Sequence, residues 1–158
     1  ANDGGHGINR GTIQVDGNLA YGMQATKYST LENYGLITVD GANSRGMAAT
    51  DNSIVRNHTT GTITVNGADS EGIYADYKAT VENYGTINVN GAGRTGIYLG
   101  TDGVLLNEGI INISGGEGVV EGSGSLTNVG DITINGTNSF NRWSNYYKYR
   151  NNNSKWSA

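Results

Sequence analysis

Val81-Glu82-Asn83-Tyr84-Gly85-Thr86-Ile87-Asn88-Val89-Asn90-Gly91 carries two phrases that recur along the whole chain. The second half, Gly85 to Gly91, is one of six copies of Gly-x-Ile-x-Val/Ile-x-Gly. The others run from Gly11 to Gly17, Gly35 to Gly41, Gly61 to Gly67, Gly109 to Gly115 and Gly130 to Gly136. Successive copies begin 24, 26, 24, 24 and 21 residues apart. The first half, Val81-Glu82-Asn83, returns as Leu31-Glu32-Asn33, Val55-Arg56-Asn57, Leu105-Leu106-Asn107 and Leu126-Thr127-Asn128. Between copies stands a glycine followed by an apolar residue: Gly22-Met23, Gly46-Met47, Gly72-Ile73, Gly96-Ile97 and Gly118-Val119. Each repeat thus holds three short stretches that alternate with period two, divided by Gly, Asn, Asp and Ser. Helical spacing of apolar residues is missing throughout.

Three short strands and three turns per repeat predict an all-β fold: a right-handed parallel β-helix of about six coils, each of 21–26 residues. One such coil is too small to bury its own apolar face, so stability has to come from stacking. Period two sends Ile13/Val15, Ile37/Val39, Ile63/Val65, Ile87/Val89, Ile111/Ile113 and Ile132/Ile134 into the bore as continuous columns. Ala25, Ala49 and Ala75 are expected to point inward where the bore narrows. Asn9, Asn33, Asn83, Asn107 and Asn128 each precede a repeat glycine by two places, which predicts a stacked amide ladder inside a turn. Asn57 stands four places before Gly61, so a two-residue bulge at His58-Thr59-Thr60 is expected there.

Composition agrees. The chain has 158 residues with 26 Gly, no Pro and no Cys; 35% are hydrophobic and 15% charged. Interior coils need every backbone N–H for the ladder, which fits the missing proline. A disulfide framework and a cysteine zinc site are excluded. No stretch approaches the ~20 apolar residues of a membrane helix, so this segment is not membrane-inserted. A formal charge of −4 gives no electrostatic case for nucleic acid. No signal-like segment opens the chain, which is expected to be either intracellular or a mature or excised piece of something longer.

Residues 1–136 form the repeat region, and residues 137–158 are of another composition. They hold the only Phe and both Trp, and carry Arg142, Lys148, Arg150 and Lys155 with no acid. This aromatic and basic tail is expected to cap the bore or to lead into the next part of a longer chain. Its alternative role is partner binding through Trp143, Tyr146, Tyr147 and Trp156.

The six repeat units with their two companion phrases resemble the β-helical passenger regions of large autotransporter (type V secreted) adhesins of Gram-negative bacteria. The resemblance covers residues 7–136 and specifies architecture better than binding target. It implies an extracellular, surface-anchored protein exported unfolded through an outer-membrane barrel. A complete member also carries a signal peptide and a C-terminal barrel, so the sequence is expected to be a fragment of such a protein.

Chemistry is sparse. The column after each Val/Ile (Asp16, Asp40, Asn66, Asn90, Ser114, Asn135) brings two acids one coil apart, close enough to share a cation or to act on a glycosidic bond. The other members are neutral, and all but Ser114 sit in the Asx-Gly pairs that favour tight turns. His6 and His58 lie in Gly- and Thr-rich loops with no ligand-like neighbours in sequence. Outward Thr62 and Thr64 match a flat ice-binding lattice, but Leu36, Ile110 and Asp131 interrupt it. Tyr34/Tyr84 and Tyr74/Tyr98 are expected to stack in pairs, with Tyr28 and Tyr77 near each other on another turn. Neither a cofactor nor a catalytic residue is expected. The reading is a non-catalytic rod presenting binding surfaces, with a host or bacterial cell-surface protein or glycan as partner. Its alternatives are a carbohydrate-active β-helix enzyme and a filament subunit that self-associates end to end.

Overall fold

The computed structural model describes residues 1–91, 96–114 and 123–135, and among these it has sixteen strands and no helix. The first rung is β1 (His6–Asn9), β2 (Thr12–Val15) and β3 (Tyr21–Ala25); the second is β4 (Thr30–Asn33), β5 (Leu36–Val39) and β6 (Arg45–Ala49). The third holds β7 (Ile54–Asn57), β8 (Thr62–Val65) and β9 (Glu71–Ala75). The fourth holds β10 (Thr80–Asn83), β11 (Thr86–Val89) and β12 (Ile97–Leu99). β13 (Val104–Asn107) and β14 (Ile110–Ser114) belong to the fifth, and β15 (Ser125–Asn128) and β16 (Asp131–Asn135) to the sixth.

Every pairing is parallel and joins a strand to its counterpart one rung away. The result is a six-stranded sheet A (β1-β4-β7-β10-β13-β15), a six-stranded sheet B (β2-β5-β8-β11-β14-β16) and a four-stranded sheet C (β3-β6-β9-β12). Six rungs enclose about five full turns of a right-handed parallel β-helix with three strands per coil. The expected Ile/Val columns face the bore: Ile37, Ile63, Ile87 and Ile111 are paired in register and fully buried. Each such side chain contributes roughly 1.5–3 kcal/mol through removal from water. Ala25, Ala49 and Ala75 are buried as expected.

The glycines follow from close approach. A Cβ on Gly35, Gly41, Gly67, Gly91, Gly109 or Gly130 would collide with the backbone carbonyl oxygen of the glycine one rung earlier. The glycines that open sheet C serve another purpose. A side chain on Gly22, Gly46 or Gly96 would strike Ile37, Ile63 or Ile113 across the bore.

Inside the turn between sheets A and B runs the amide ladder. Nδ2 of Asn9 donates to Oδ1 of Asn33, Asn33 to Asn57, Asn57 to Asn83, Asn83 to Asn107 and Asn107 to Asn128, at 2.7–2.9 Å. Asn57 is therefore a full member, although its distance from Gly61 set it apart in the sequence. The two-residue insertion follows Asn57, where the sequence placed it. His58-Thr59-Thr60 loops outward, closed by Gly61 N–H on the His58 carbonyl at 2.7 Å and by Thr60 Oγ1 on the Tyr34 carbonyl at 2.9 Å. All six amides are buried, so each made bond also avoids the ~1–3 kcal/mol cost of an unsatisfied polar group.

The other two corners are held by serines. Ser44 and Ser70, between sheets B and C, accept the N–H of Ala20 and of Ser44 respectively and donate to Gly17 and Gly41 carbonyls. Ser53, between sheets C and A, accepts the N–H of Ser29.

Candidate functional site

Side chains that leave the bore form columns along the outside, one member per rung, and these columns are where chemistry can occur. On sheet A the register aligns Glu32, Arg56 and Glu82. Arg56 Nε donates to Glu82 Oε2 and its Nη1 lies 3.8 Å from Glu32 Oε1. The hydrogen bond to Glu82 is the main reason the guanidinium is held above its ordinary pKa. His6 and His58 approach the same Glu32 from the rungs on either side, each at 3.8 Å, and Tyr34 donates its hydroxyl to it at 3.3 Å. The two histidines, far apart in sequence and without acidic neighbours there, thus share a carboxylate. Nε2 of His58 is buried and makes no hydrogen bond.

The aromatic columns differ in part from expectation. Tyr74 and Tyr98 stack, with ring centroids 4.9 Å apart and planes 9° from parallel. Tyr34 stacks on His58 (3.9 Å, 8°) and not on Tyr84. The reason is register: Tyr34 and Tyr84 stand two rungs apart, and His58, first residue of the insertion, keeps the place between them through its N–H on the Asn33 carbonyl. Cations cover the remaining faces. Arg10 lies over Tyr34 at 4.4 Å and Arg45 over Tyr74 at 4.0 Å, in each case from the rung before. Neither ring keeps an open face on which a sugar could stack.

Arg45 is fixed further by its Nε on Glu71 and by Nη1 on the Tyr21 hydroxyl at 2.8 Å. Tyr74 donates to Asp76 at 3.0 Å, and Asp76 also accepts the N–H groups of Tyr77 and Thr101. Burial first, then the hydrogen bond to Asp76 and its charge, push the Tyr74 phenol up to about 12, with Arg45 acting the other way.

At the edge of sheet B the Asx column is a second ladder, exposed to solvent. Gln14 Nε2 donates 2.7 Å bonds to both Asp16 and Asp40 and so bridges the two acids. Asn66 donates to Asp40, Asn90 to Asn66 and Ser114 to Asn90. Gln14 thus ties the two acids to each other through its own amide. Among the described residues no three His, Cys, Asp or Glu side chains are grouped so as to hold a metal ion.

Of the residues expected to matter, the ladder asparagines Asn33, Asn83, Asn107 and Asn128 are where the spacing put them. Trp143, Tyr146, Tyr147 and Trp156 lie outside the described residues, as does the whole tail 137–158. Gly118-Val119 does too. The corner serines went unread in the sequence, although Ser44 and Ser70 recur one repeat apart, immediately before the paired Arg45 and Glu71.

The family model described as BigA third pectate lyase-like domain matches residues 1–148. No curated protein matches the chain. No solved structure matches it either.

Proposed function

Since the chain belongs to the family of the BigA third pectate lyase-like domain, we propose that it is a non-catalytic segment of a bacterial cell-surface protein. It acts as a rigid β-helical spacer that holds binding surfaces away from the cell. The observation that carries this reading is that six of the described carboxylates are spent on neighbouring groups of the solenoid itself. Glu32, Glu71 and Glu82 face arginines, Asp16 and Asp40 share one glutamine amide, and Asp76 closes a turn. Acid–base cleavage of a glycosidic link requires carboxylates free to exchange protons with substrate, whereas these carboxylates tie one rung to the next. Reach then scales with rung number, at about 4.8 Å for each added coil.

The resemblance to autotransporter passengers supports placing the segment outside a Gram-negative cell, within a longer surface-anchored protein. A chain of near-identical local repeats suits export in an unfolded state, because folding nucleates in one coil and spreads to the next. Incubating the protein with a panel of acidic polysaccharides is expected to give no new reducing ends and no unsaturated products. Cleavage that disappears in Asp16→Asn or Asp40→Asn would establish the enzyme instead. Cell-surface placement is tested by protease shaving of intact cells that express the full-length protein. Loss of this segment without lysis is expected, and full protection contradicts the assignment.

A further inference from the structure

The first rung is built like an interior one, on a face that nothing in the described chain covers. β1, β2 and β3 each pair with one neighbour only: β4, β5 and β6 respectively. Backbone N–H groups of Tyr34, Leu36 and Asp40 bond to the Asn9, Gly11 and Val15 carbonyls one rung earlier, at 2.8–2.9 Å. The equivalent N–H groups of Arg10, Thr12 and Asp16 have no such carbonyl among the described residues. Natural sheets keep exposed edges of this kind from pairing with Pro, Lys or other charged residues. None of the three strands contains Pro, Lys, Arg, Asp or Glu.

Side chains on this face carry the same message. A Cβ on Gly11 or Gly17 would meet nothing within 4 Å, and neither glycine has positive φ. Their counterparts Gly35 and Gly41 have to be glycine because the Gly11 and Gly17 carbonyls lie against them. Glycine where no side chain would clash costs conformational entropy with no return, so the cause lies outside the first rung. Oδ1 of Asn33 accepts both the Gly35 N–H and the amide of Asn9. Oδ1 of Asn9, itself a buried residue, accepts the Gly11 N–H alone. Ile13 and Val15 are partly exposed at the mouth of the bore, although Ile37 and Val39 in the next rung are fully buried. The corner serines stop one rung short, with Ala20 in the place of Ser44 and Ser70.

We propose that this face seats one more coil of the same repeat, supplied by the polypeptide that leads into Ala1. Such a coil offers an asparagine amide to Asn9 Oδ1, sets glycine carbonyls against Gly11 and Gly17, and covers Ile13 and Val15 with aliphatic side chains. Ala1 decides the source. Its carbonyl accepts the Thr26 N–H at 3.0 Å, as Ala25 accepts that of Thr50 and Ala49 that of Asp76, so a strand against β3 is already begun. A coil continuous with it reaches the open face directly, whereas a second copy would meet Ala1 and Asn2 in its path. The proposal rests on the reading of this chain as a segment of a longer surface protein, and makes the rod continuous through its first rung. It does not depend on the absence of catalysis. Cleavage of a polysaccharide would overturn the spacer and leave this face as it is.

The test is amide hydrogen exchange at Arg10, Thr12 and Asp16, compared between residues 1–158 alone and the full-length protein. These amides are expected to exchange about a hundredfold more slowly in the full-length protein, because only there do they find carbonyls. Gly17→Ala supplies the second arm. In the segment alone it is expected to leave exchange and the urea midpoint unchanged, since its Cβ meets nothing. In the full-length protein it is expected to bring back fast exchange at the same three amides, by pushing the preceding coil off the face. Three results would each overturn the proposal. One is equally fast exchange in both proteins, and another is slow exchange in the full-length protein that survives Gly17→Ala. The third is slow exchange already in the segment alone; if it strengthens with protein concentration, the face belongs to a second copy.

Discussion

Ile13 and Ile63 occupy the same place in the same seven-residue phrase, Gly11–Gly17 and Gly61–Gly67, yet their surroundings differ. Ile63 is fully buried, with Ile37 below and Ile87 above; Ile13 has a paired neighbour on one side only and is partly exposed. The glycines tell the same story. A Cβ on Gly17 meets nothing, whereas one on Gly41 runs into the Gly17 carbonyl. Sequence phrase is constant between the two rungs and burial is not, so the energy of this fold resides in the contacts between rungs.

That difference can be broken at several depths. The largest effect is expected from the aliphatic spine: Ile63→Ala should cost about 4 kcal/mol in urea unfolding, and Ile13→Ala about 1 kcal/mol, because an interior cavity cannot relax against a rung on either side. Next come the glycines. Gly41→Ala is expected to lose about 3 kcal/mol by forcing two backbones apart, while Gly17→Ala stays within about 0.5 kcal/mol in this chain. Equal costs for the two alanines would mean that backbone contact between rungs is not what selects glycine.

The two polar ladders sharpen the contrast between inside and outside. Asn83→Ala removes a buried amide and leaves Asn57 and Asn107 each short of one partner, for an expected loss of about 2 kcal/mol. Asn90→Ala interrupts the exposed ladder, where water replaces the missing group, and is expected to change stability by less than about 0.5 kcal/mol.

The smallest effect is a pH dependence. Tyr74 has its pKa raised to about 12 in the folded chain against the ordinary value of 10.0. The folded state therefore holds this proton more tightly than the unfolded state does. Its contribution is fully present below pH ~10 and is lost as pH rises through ~12. In an ultraviolet titration of the native protein the Tyr74 phenol should ionise late. Tyr74→Phe should lose that late step and show a shallower fall in stability over the same interval. A titration in which Tyr74→Phe matches the parent would show that Asp76 and burial do not hold the proton.

Strand positions and their facing were legible because period two and the repeat length report the same thing: each rung tests the one before. The ladder was legible where Asn and Gly keep a fixed separation. Asn57 was set apart by its distance from Gly61; the bulge expected at His58-Thr59-Thr60 is there, but the ladder runs through Asn57 unbroken. Tyr34 was matched to Tyr84 by residue type, when the neighbour along a solenoid is set by rung and turned out to be His58. Turn chemistry was legible where it obeys preference, as at the Asx-Gly pairs Asp16-Gly17 and Asp40-Gly41. It gave no sign that Lys27-Tyr28 and Tyr77-Lys78 adopt positive φ, since local propensity argues against both. Turns built against propensity are invisible to it.

Removal of one whole interior coil tests the dependence on stacking most directly. Deleting residues 84–107 joins Asn83 to Glu108 and takes out one repeat of 24 residues, so the Asn-x-Gly spacing is kept and β14 falls onto β8 in register. The shortened chain is expected to fold, with a parallel β-helix spectrum, a reduced dependence of unfolding free energy on urea, and a rod about 4.8 Å shorter by small-angle scattering. A shortened chain that is unfolded, or folded with unchanged length, would contradict the claim that interchangeable rungs sharing one aliphatic spine hold this protein together.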